Sequence, residues 1–274
     1  MELPASRTGR SAEQVALECS RIAGDIICER FQALRSGTPI ERTTKGRGNY
    51  VTETDLAVES AVIALLRDEY PDHRVLSEET SAEVPDWQRG WLWVMDPVDG
   101  TSNFSRGIPT FAFNLALCFD GEPVLGITHQ PVTGDQFFAV QGGGLLVNGA
   151  PAVVSPVAAL ADSLLGMGLG YQYDRAKLLL GLLHDVWPRV QMIQNIGAAA
   201  IGMAYAASGR FDLYVHSNVL PWDVAPGFIQ IREAGGLVLD REGGRATIYS
   251  EGLIAGAPGP VREFLEISRG RVWR

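Results

Sequence analysis

A chain of 274 residues, 46% hydrophobic and 20% charged, is long enough to bury a full core without covalent staples, and its net charge of −9 argues against unaided binding to nucleic acid. Cys19, Cys28 and Cys118 form no CxxC pair, which argues against a disulfide framework and against a zinc site. No stretch is apolar enough to span a membrane and the start, MELPASRTGR, lacks the apolar run of a secretory signal, so a cytoplasmic protein with reduced thiols is expected.

The first predicted element is an amphipathic helix over 11–35, where Val15, Ile22, Ile26 and Leu34 form an apolar stripe. Ser11 and Gln14 have capping-box spacing at its start. Gly37, Pro39, Gly46 and Gly48 then mark 36–50 as a mobile loop. A second helix runs from about Asp55 to Glu69 and is ended by Pro71. From Trp91 the pattern changes to short β-rich runs, WLWVM, FAFNLALCF, PVLGITHQ and QFFAV, separated by DGE and PVTGD; these read as an antiparallel meander. The GGG at 142–144 and the NG at 148–149 continue the turn chemistry.

In the second half, 197–208 reads as a small-residue helix, FDLYV as a strand, 223–234 as a helix, LVLD and LIAGA as strands, and 259–268 as a last helix. That alternation favours a mixed sheet covered by helices. The change near residue 150 predicts two halves, 1–150 and 151–274, packed intimately around a shared cleft.

Three acidic clusters stand out: Glu78-Glu79 in LSEET, Asp96 and Asp99 in DPVDGTSNF, and Asp223 in PWDVA, with Asp55 in VTETD as a fourth candidate. Asp96 ends an apolar strand and Asp99 follows across a Pro-Val turn. Two acids this close repel each other unless a cation lies between them, and hard oxygen ligands suit Mg²⁺. Gly100-Thr101-Ser102 then opens a helix whose exposed N–H groups suit an anion. Taken singly, each cluster has a plain alternative: DPVDG is also an ordinary turn, Glu78-Glu79 a solvated pair, and Asp223 and Asp55 helix caps. Their joint occurrence in this order points to metal and phosphate chemistry. An acidic site can hold an anionic substrate when cations invert the local charge.

With VTETD at 51–55, LSEET at 76–80, WVMDPVDGTSNF at 93–104 and PWDVAPG at 221–227, supported by 195–215 and 233–240, the chain resembles the inositol monophosphatase family of magnesium-dependent, lithium-sensitive sugar phosphatases. The resemblance spans nearly the whole chain. It implies an α+β fold of stacked α/β/α/β/α layers, with an antiparallel N-terminal sheet and a mixed C-terminal sheet, usually as a homodimer. It implies that Glu78, Asp96 and the carbonyl of Val98 bind one Mg²⁺, that Asp96, Asp99 and Asp223 bind a second, and that Glu78 helps hold a weaker third; Mn²⁺ is an alternative ion. Most of these ligands fall in the N-terminal half and the substrate pocket in the C-terminal half. Thr101 would orient the attacking water with Asp55 behind it, Glu79 would support the metal shell, and the N–H groups of Gly100 and Thr101 would hold the phosphate. Lys45 sits near the family's loop lysine, in a loop expected to fold over the metals. Metal-activated water, attacking phosphorus in line, fits the absence of a CxxxxxR loop and of HExxH spacing among His73, His129, His184 and His216.

The expected substrate is a small phosphorylated metabolite, and the pocket departs from the inositol pattern. His216 stands where inositol-specific members commonly place a glutamate, and Gly197-Ala198-Ala199 where many have Gly-Thr-Ala. Both changes remove polar contacts to a polyol and can shift specificity. His216 either meets a phosphate or another hydroxyl, or only lines the cleft. Inositol monophosphate is the first expected substrate and fructose 1,6-bisphosphate the second, followed by histidinol phosphate and a nucleotide 3′-phosphate. A different class of function, a regulatory partner of the transcription machinery, is argued against by the intact ligand set.

Overall fold

The computed structural model describes residues 3–46, 48–80, 88–271 and 273. Helix α1 (Ala12–Arg35) starts on the expected capping box, with Gln14 N–H donating to the Ser11 hydroxyl and Ser11 N–H to the Gln14 side chain. Its buried stripe is Val15, Cys19, Ala23, Ile27 and Phe31. The segment 36–50 departs from the expected loop: part of it forms a hairpin, β1 (Arg42–Gly46) and β2 (Asn49–Thr52), whose strands among the described residues pair only with each other. Every residue of β1 is exposed, so no apolar face betrayed the strand. Helix α2 (Glu53–Glu69) begins slightly before Asp55, on a second capping box built by Thr52 and Asp55.

After β3 (Arg74–Ser77), a strand that had no counterpart in the sequence reading, the expected meander is present as β4 (Trp91–Asp99), β5 (Ala112–Phe119), β6 (Glu122–Gln130), β7 (Asp135–Val140), β8 (Gly144–Val147) and β9 (Ala150–Ala152), with the one-turn helix α3 (Thr101–Phe104) between β4 and β5. The strands form one sheet in chain order, antiparallel throughout apart from β3, which runs parallel to β4. The DG and NG turns behave as the sequence requires: Asp120, Gly121, Asn148 and Gly149 all have positive φ.

The second half contains β10 (Leu164–Gly168), α4 (Tyr173–Val186), β11 (Met192–Asn195), α5 (Ala199–Ala207), β12 (Leu213–His216), α6 (Pro221–Glu233), β13 (Leu237–Asp240), β14 (Leu253–Gly256) and α7 (Pro258–Ile267). Its sheet has the order β11-β10-β12-β14-β13, parallel over the first three strands and antiparallel beyond, hence mixed as expected. β10, α4 and β11 had no counterpart in the sequence reading. Two glycines in β10 and the exposure of most of β11 blur the period-two signal there.

Strand alternation explains the layering. On β4, Trp93 and Met95 pack with α1 and α2, while Leu92 and Val94 face Ala225 of α6. On β12, Leu213 and Val215 pack with α4 and α7, while Tyr214 faces the layer containing α5 and α6. The order is therefore α1/α2, seven strands, α5/α6, five strands, α4/α7. Gly126 on β6 permits the close approach of α6: a Cβ there would stand 2.8 Å from the backbone of Pro226. Among the described residues no helix is long and apolar enough to cross a membrane.

Candidate active site

A β-bulge brings the two central acids together. Asp96 pairs with Asn114 and Asp99 with Ala112, so three steps along β4 match two along β5. Side chains alternate across a strand, so acids three apart would normally face opposite sides. The extra residue returns Asp99 to the face of Asp96. From the opposite side, Pro221 at the first position of α6 starts the helix, and Asp223 accepts the Leu220 N–H at 2.8 Å. Asp96, Asp99 and Asp223 thus each present a carboxylate oxygen within 4.8 Å of the others.

The carboxylates are oriented by backbone donors. Asp99 accepts the N–H groups of Ala199 at 3.1 Å and Ala200 at 2.8 Å, buried donors in the first turn of α5 that have no intrahelical partner, while Asp96 accepts the Val98 N–H at 3.0 Å. Gly100 follows with φ 92°, and a Cβ there would stand 3.0 Å from the Thr110 carbonyl, so the turn into α3 needs glycine on both counts. Thr101 Oγ1 lies 3.0 Å from both Asp55 Oδ1 and the Val98 carbonyl; its single proton can serve only one of them at a time. Asp55 also accepts the Thr52 N–H at 2.9 Å, so the capping box of α2 fixes the carboxylate that Thr101 meets.

Glu78 stands outside the three-acid group. Lys45 Nζ donates to Glu78 Oε1 at 2.9 Å and to Glu79 Oε1 at 2.6 Å, so the hairpin lysine does reach the acidic cluster.

Burial and mutual repulsion set the electrostatics. Burial, then the charges of Glu78, Asp99 and Asp223, hold Asp96 well above the usual carboxylate range; burial followed by Asp99 does the same for Asp223. Burial pushes Asp99 up to about 7 against the pull of the α5 amides, Asp55 up to about 6 against its hydroxyl and amide donors, and Glu79 up to about 7 against Lys45. An all-oxygen set of acids whose ionisation is opposed by burial fits a hard divalent cation, which would supply the missing counter-charge.

Beside the acids lies a cavity of about 210 Å³, lined by Asp99, Asp223, Gly100, Gly197, Ala198, Ala199 and His216. Tyr171, Asn195, Tyr214 and Asn218 line it too, and none of these was singled out from sequence. Tyr171 and Asn195 lie on the unread stretch around α4; the other two flank His216 and carried no spacing signal. The Ala199 N–H is engaged with Asp99, so that residue serves an acid as well as the cavity wall. His216 is buried, its Nδ1 accepts the Asn218 N–H at 3.3 Å, and burial lowers it to about 3. It is therefore neutral, with its proton on Nε2.

A family model described as "Inositol monophosphatase family" matches residues 10–269. A protein named Nus factor SuhB from Pasteurella multocida is 33% identical over 252 residues, covering 92% of this chain and 93% of that protein. Among solved structures, the extragenic suppressor protein suhB of Bartonella henselae superposes with a TM-score of 0.87 at 28% identity, over 95% of this chain and 99% of that one. An IMPase of Thermotoga maritima does so with a TM-score of 0.83 at 29% identity, over 94% and 96%.

Proposed function

The chain belongs to the inositol monophosphatase family, and from that premise we propose that it is a magnesium-dependent hydrolase of small phosphate monoesters, with inositol monophosphate as the first substrate to test. The observation that carries this reading is the convergence of Asp96, Asp99 and Asp223 beside the Thr101–Asp55 pair. Asp96, Asp99 and Asp223, together with Glu78 and the Val98 carbonyl, would hold the cations. When bound, these supply positive charge for the phosphate oxygens and make water more acidic.

The remaining work falls to the chain. The Thr101 hydroxyl gives its proton to Asp55 Oδ1, which leaves an oxygen lone pair to orient the attacking water and frees the Val98 carbonyl. Asp55, up to about 6, is ionised at neutral pH and can take a proton through Thr101. The N–H groups of Gly100 and Thr101 have no intrahelical partner and face the phosphate oxygens. Glu79 supports the acidic shell, and Lys45 supplies a cation from the hairpin. Gly197, Ala198, Ala199 and His216 form the wall against the alcohol part of the substrate. The location is the cytoplasm and the assembly a homodimer.

Phosphate release from inositol monophosphate, fructose 1,6-bisphosphate, histidinol phosphate and a nucleotide 3′-phosphate, with Mg²⁺ and with added Li⁺, tests the reading. Mg²⁺-dependent, Li⁺-inhibited turnover of at least one substrate is expected. A second reading rests on the name of the Pasteurella relative, a Nus factor: the chain would then act as a binding partner in the transcription machinery. No turnover of any of the four substrates would favour that role.

A further inference from the structure

Lys45 carries an inference that rests on the divalent-cation reading above. Glu78 lies close enough for its charge to raise Asp96 and Asp99, yet it stands apart from the three converging acids. Its Oε1 is taken by the ammonium of Lys45, which also holds Glu79. The side chains are 26% exposed for Lys45, 14% for Glu78 and 4% for Glu79, so solvent screens this contact less than a surface pair.

The two sides of the contact are held differently. Glu59, buried and one turn after Asp55 on α2, accepts the N–H groups of Glu79 and Thr80 and the Thr80 hydroxyl, each at 3.2 Å. The acidic side is thereby tied to a core helix. Lys45 sits on a hairpin that, among the described residues, pairs only with itself, at an irregularity in register between Thr44 and Gly46. The acidic side is thus anchored to the core and the cationic side to an exposed strand.

The geometry points to an exchange: the Lys45 ammonium is a placeholder that neutralises Glu78 until a divalent cation enters, and is then displaced toward the anionic substrate. A double charge beside Glu78 repels the ammonium and binds the same oxygen more strongly. Without the lysine, Glu78 and Glu79 would be left as shielded, unpaired acids; with it, cation binding is weaker because a contact must first be broken.

Calorimetric titration with MnCl₂ in the absence of substrate tests this on wild type, Lys45→Gln, Arg42→Gln, Glu78→Gln and the Lys45→Gln/Glu78→Gln pair. Arg42 lies on the same strand, exposed and over the Tyr50 ring, and controls for the loss of one positive charge. Lys45→Gln is expected to bind Mn²⁺ about tenfold more tightly and Arg42→Gln as wild type does, with the gain vanishing in the Glu78→Gln background. The metal-free melting temperature of Lys45→Gln should fall and be restored by Mn²⁺. Wild-type binding with no gain in Lys45→Gln, or equal gains in Lys45→Gln and Arg42→Gln, overturns the exchange but leaves the cation site standing. No Mn²⁺ uptake by wild type overturns the cation reading and the exchange together.

Discussion

The side-chain amide of Asn114 donates to the Trp222 carbonyl at 2.7 Å. Pro226, inside α6, has no N–H to offer the carbonyl four residues earlier, so Asn114 replaces the missing helix bond. It also donates to the Asp223 carbonyl at 3.1 Å, and its oxygen accepts from Thr128, which in turn accepts from Gln230 of α6. This relay fastens the first turn of α6 to the sheet at the strand position opposite Asp96. Asn114→Leu would keep the branching at Cγ but add bulk at a buried position and orphan the carbonyl, the orphaning alone costing about 1–3 kcal/mol. Urea denaturation checks the loss, and Mn²⁺ titration should show weaker binding as Asp223 loosens. Unchanged stability and affinity would detach Asn114 from the position of Asp223.

Cation binding should stabilise the fold itself. The buried acids repel one another in the free protein, so a divalent ion at about one hundred times its dissociation constant should add about 2.7 kcal/mol. Asp96→Asn, at the centre of the cluster, should lose most of that increment and lower turnover by orders of magnitude. Thermal melts with and without MgCl₂ check the first effect. An Asp96→Asn protein that keeps the full increment would contradict the proposed ligand set.

Thr101→Ala removes the hydroxyl between Asp55 and the Val98 carbonyl together with one methyl group. Its kcat should fall by about 10²-fold or more, with a smaller change in KM, because the hydroxyl acts on the attacking water. Steady-state kinetics separate the two parameters. A rise in KM alone would assign Thr101 to substrate binding.

What the sequence revealed and what it concealed have physical causes. Asp96, Asp99 and Asp223 could be found because acids at strand and helix ends leave compact local patterns. That Asp96 and Asp99 share a face depends on a bulge, which is a pairing between strands and leaves no mark within DPVDG. Asn114 looks like any polar residue in a strand; the proline inside α6 was the clue that a carbonyl needed a donor. The hairpin bearing Lys45 was read as a loop because its strands bury no alternating face. Tyr171 reaches the cavity from a stretch whose strands gave no periodic signal.

His216 should make the fold sensitive to mild acid. Burial lowers it to about 3, whereas the unfolded chain binds that proton near the ordinary histidine value of about 6.5. Between these values the unfolded state carries more protons, so stability is unaffected above about pH 7 and falls as pH drops, by about 2 kcal/mol at pH 5. The raised carboxylates act in the opposite sense, so the measurement is a difference: His216→Gln should lose less stability than wild type between pH 7 and pH 5. Parallel curves would mean that the ring takes up its proton in the folded state.

The same residue should govern which alcohol the cavity accepts. Its neutral ring, held by the Asn218 N–H, offers a donor at Nε2 and no charge, whereas a glutamate there would accept hydrogen bonds from ring hydroxyls. His216→Glu would place another acid in a cavity already lined by Asp99 and Asp223, so its metal-free stability should drop. With saturating Mg²⁺, its kcat/KM for inositol monophosphate should nevertheless rise relative to the other three substrates by about tenfold, because a site that bonds hydroxyls discriminates strongly among alcohols. The ratio matters more than either rate, since loss of stability lowers all four substrates together. A ratio equal to that of wild type would leave His216 as wall and place the choice of substrate elsewhere in the cavity.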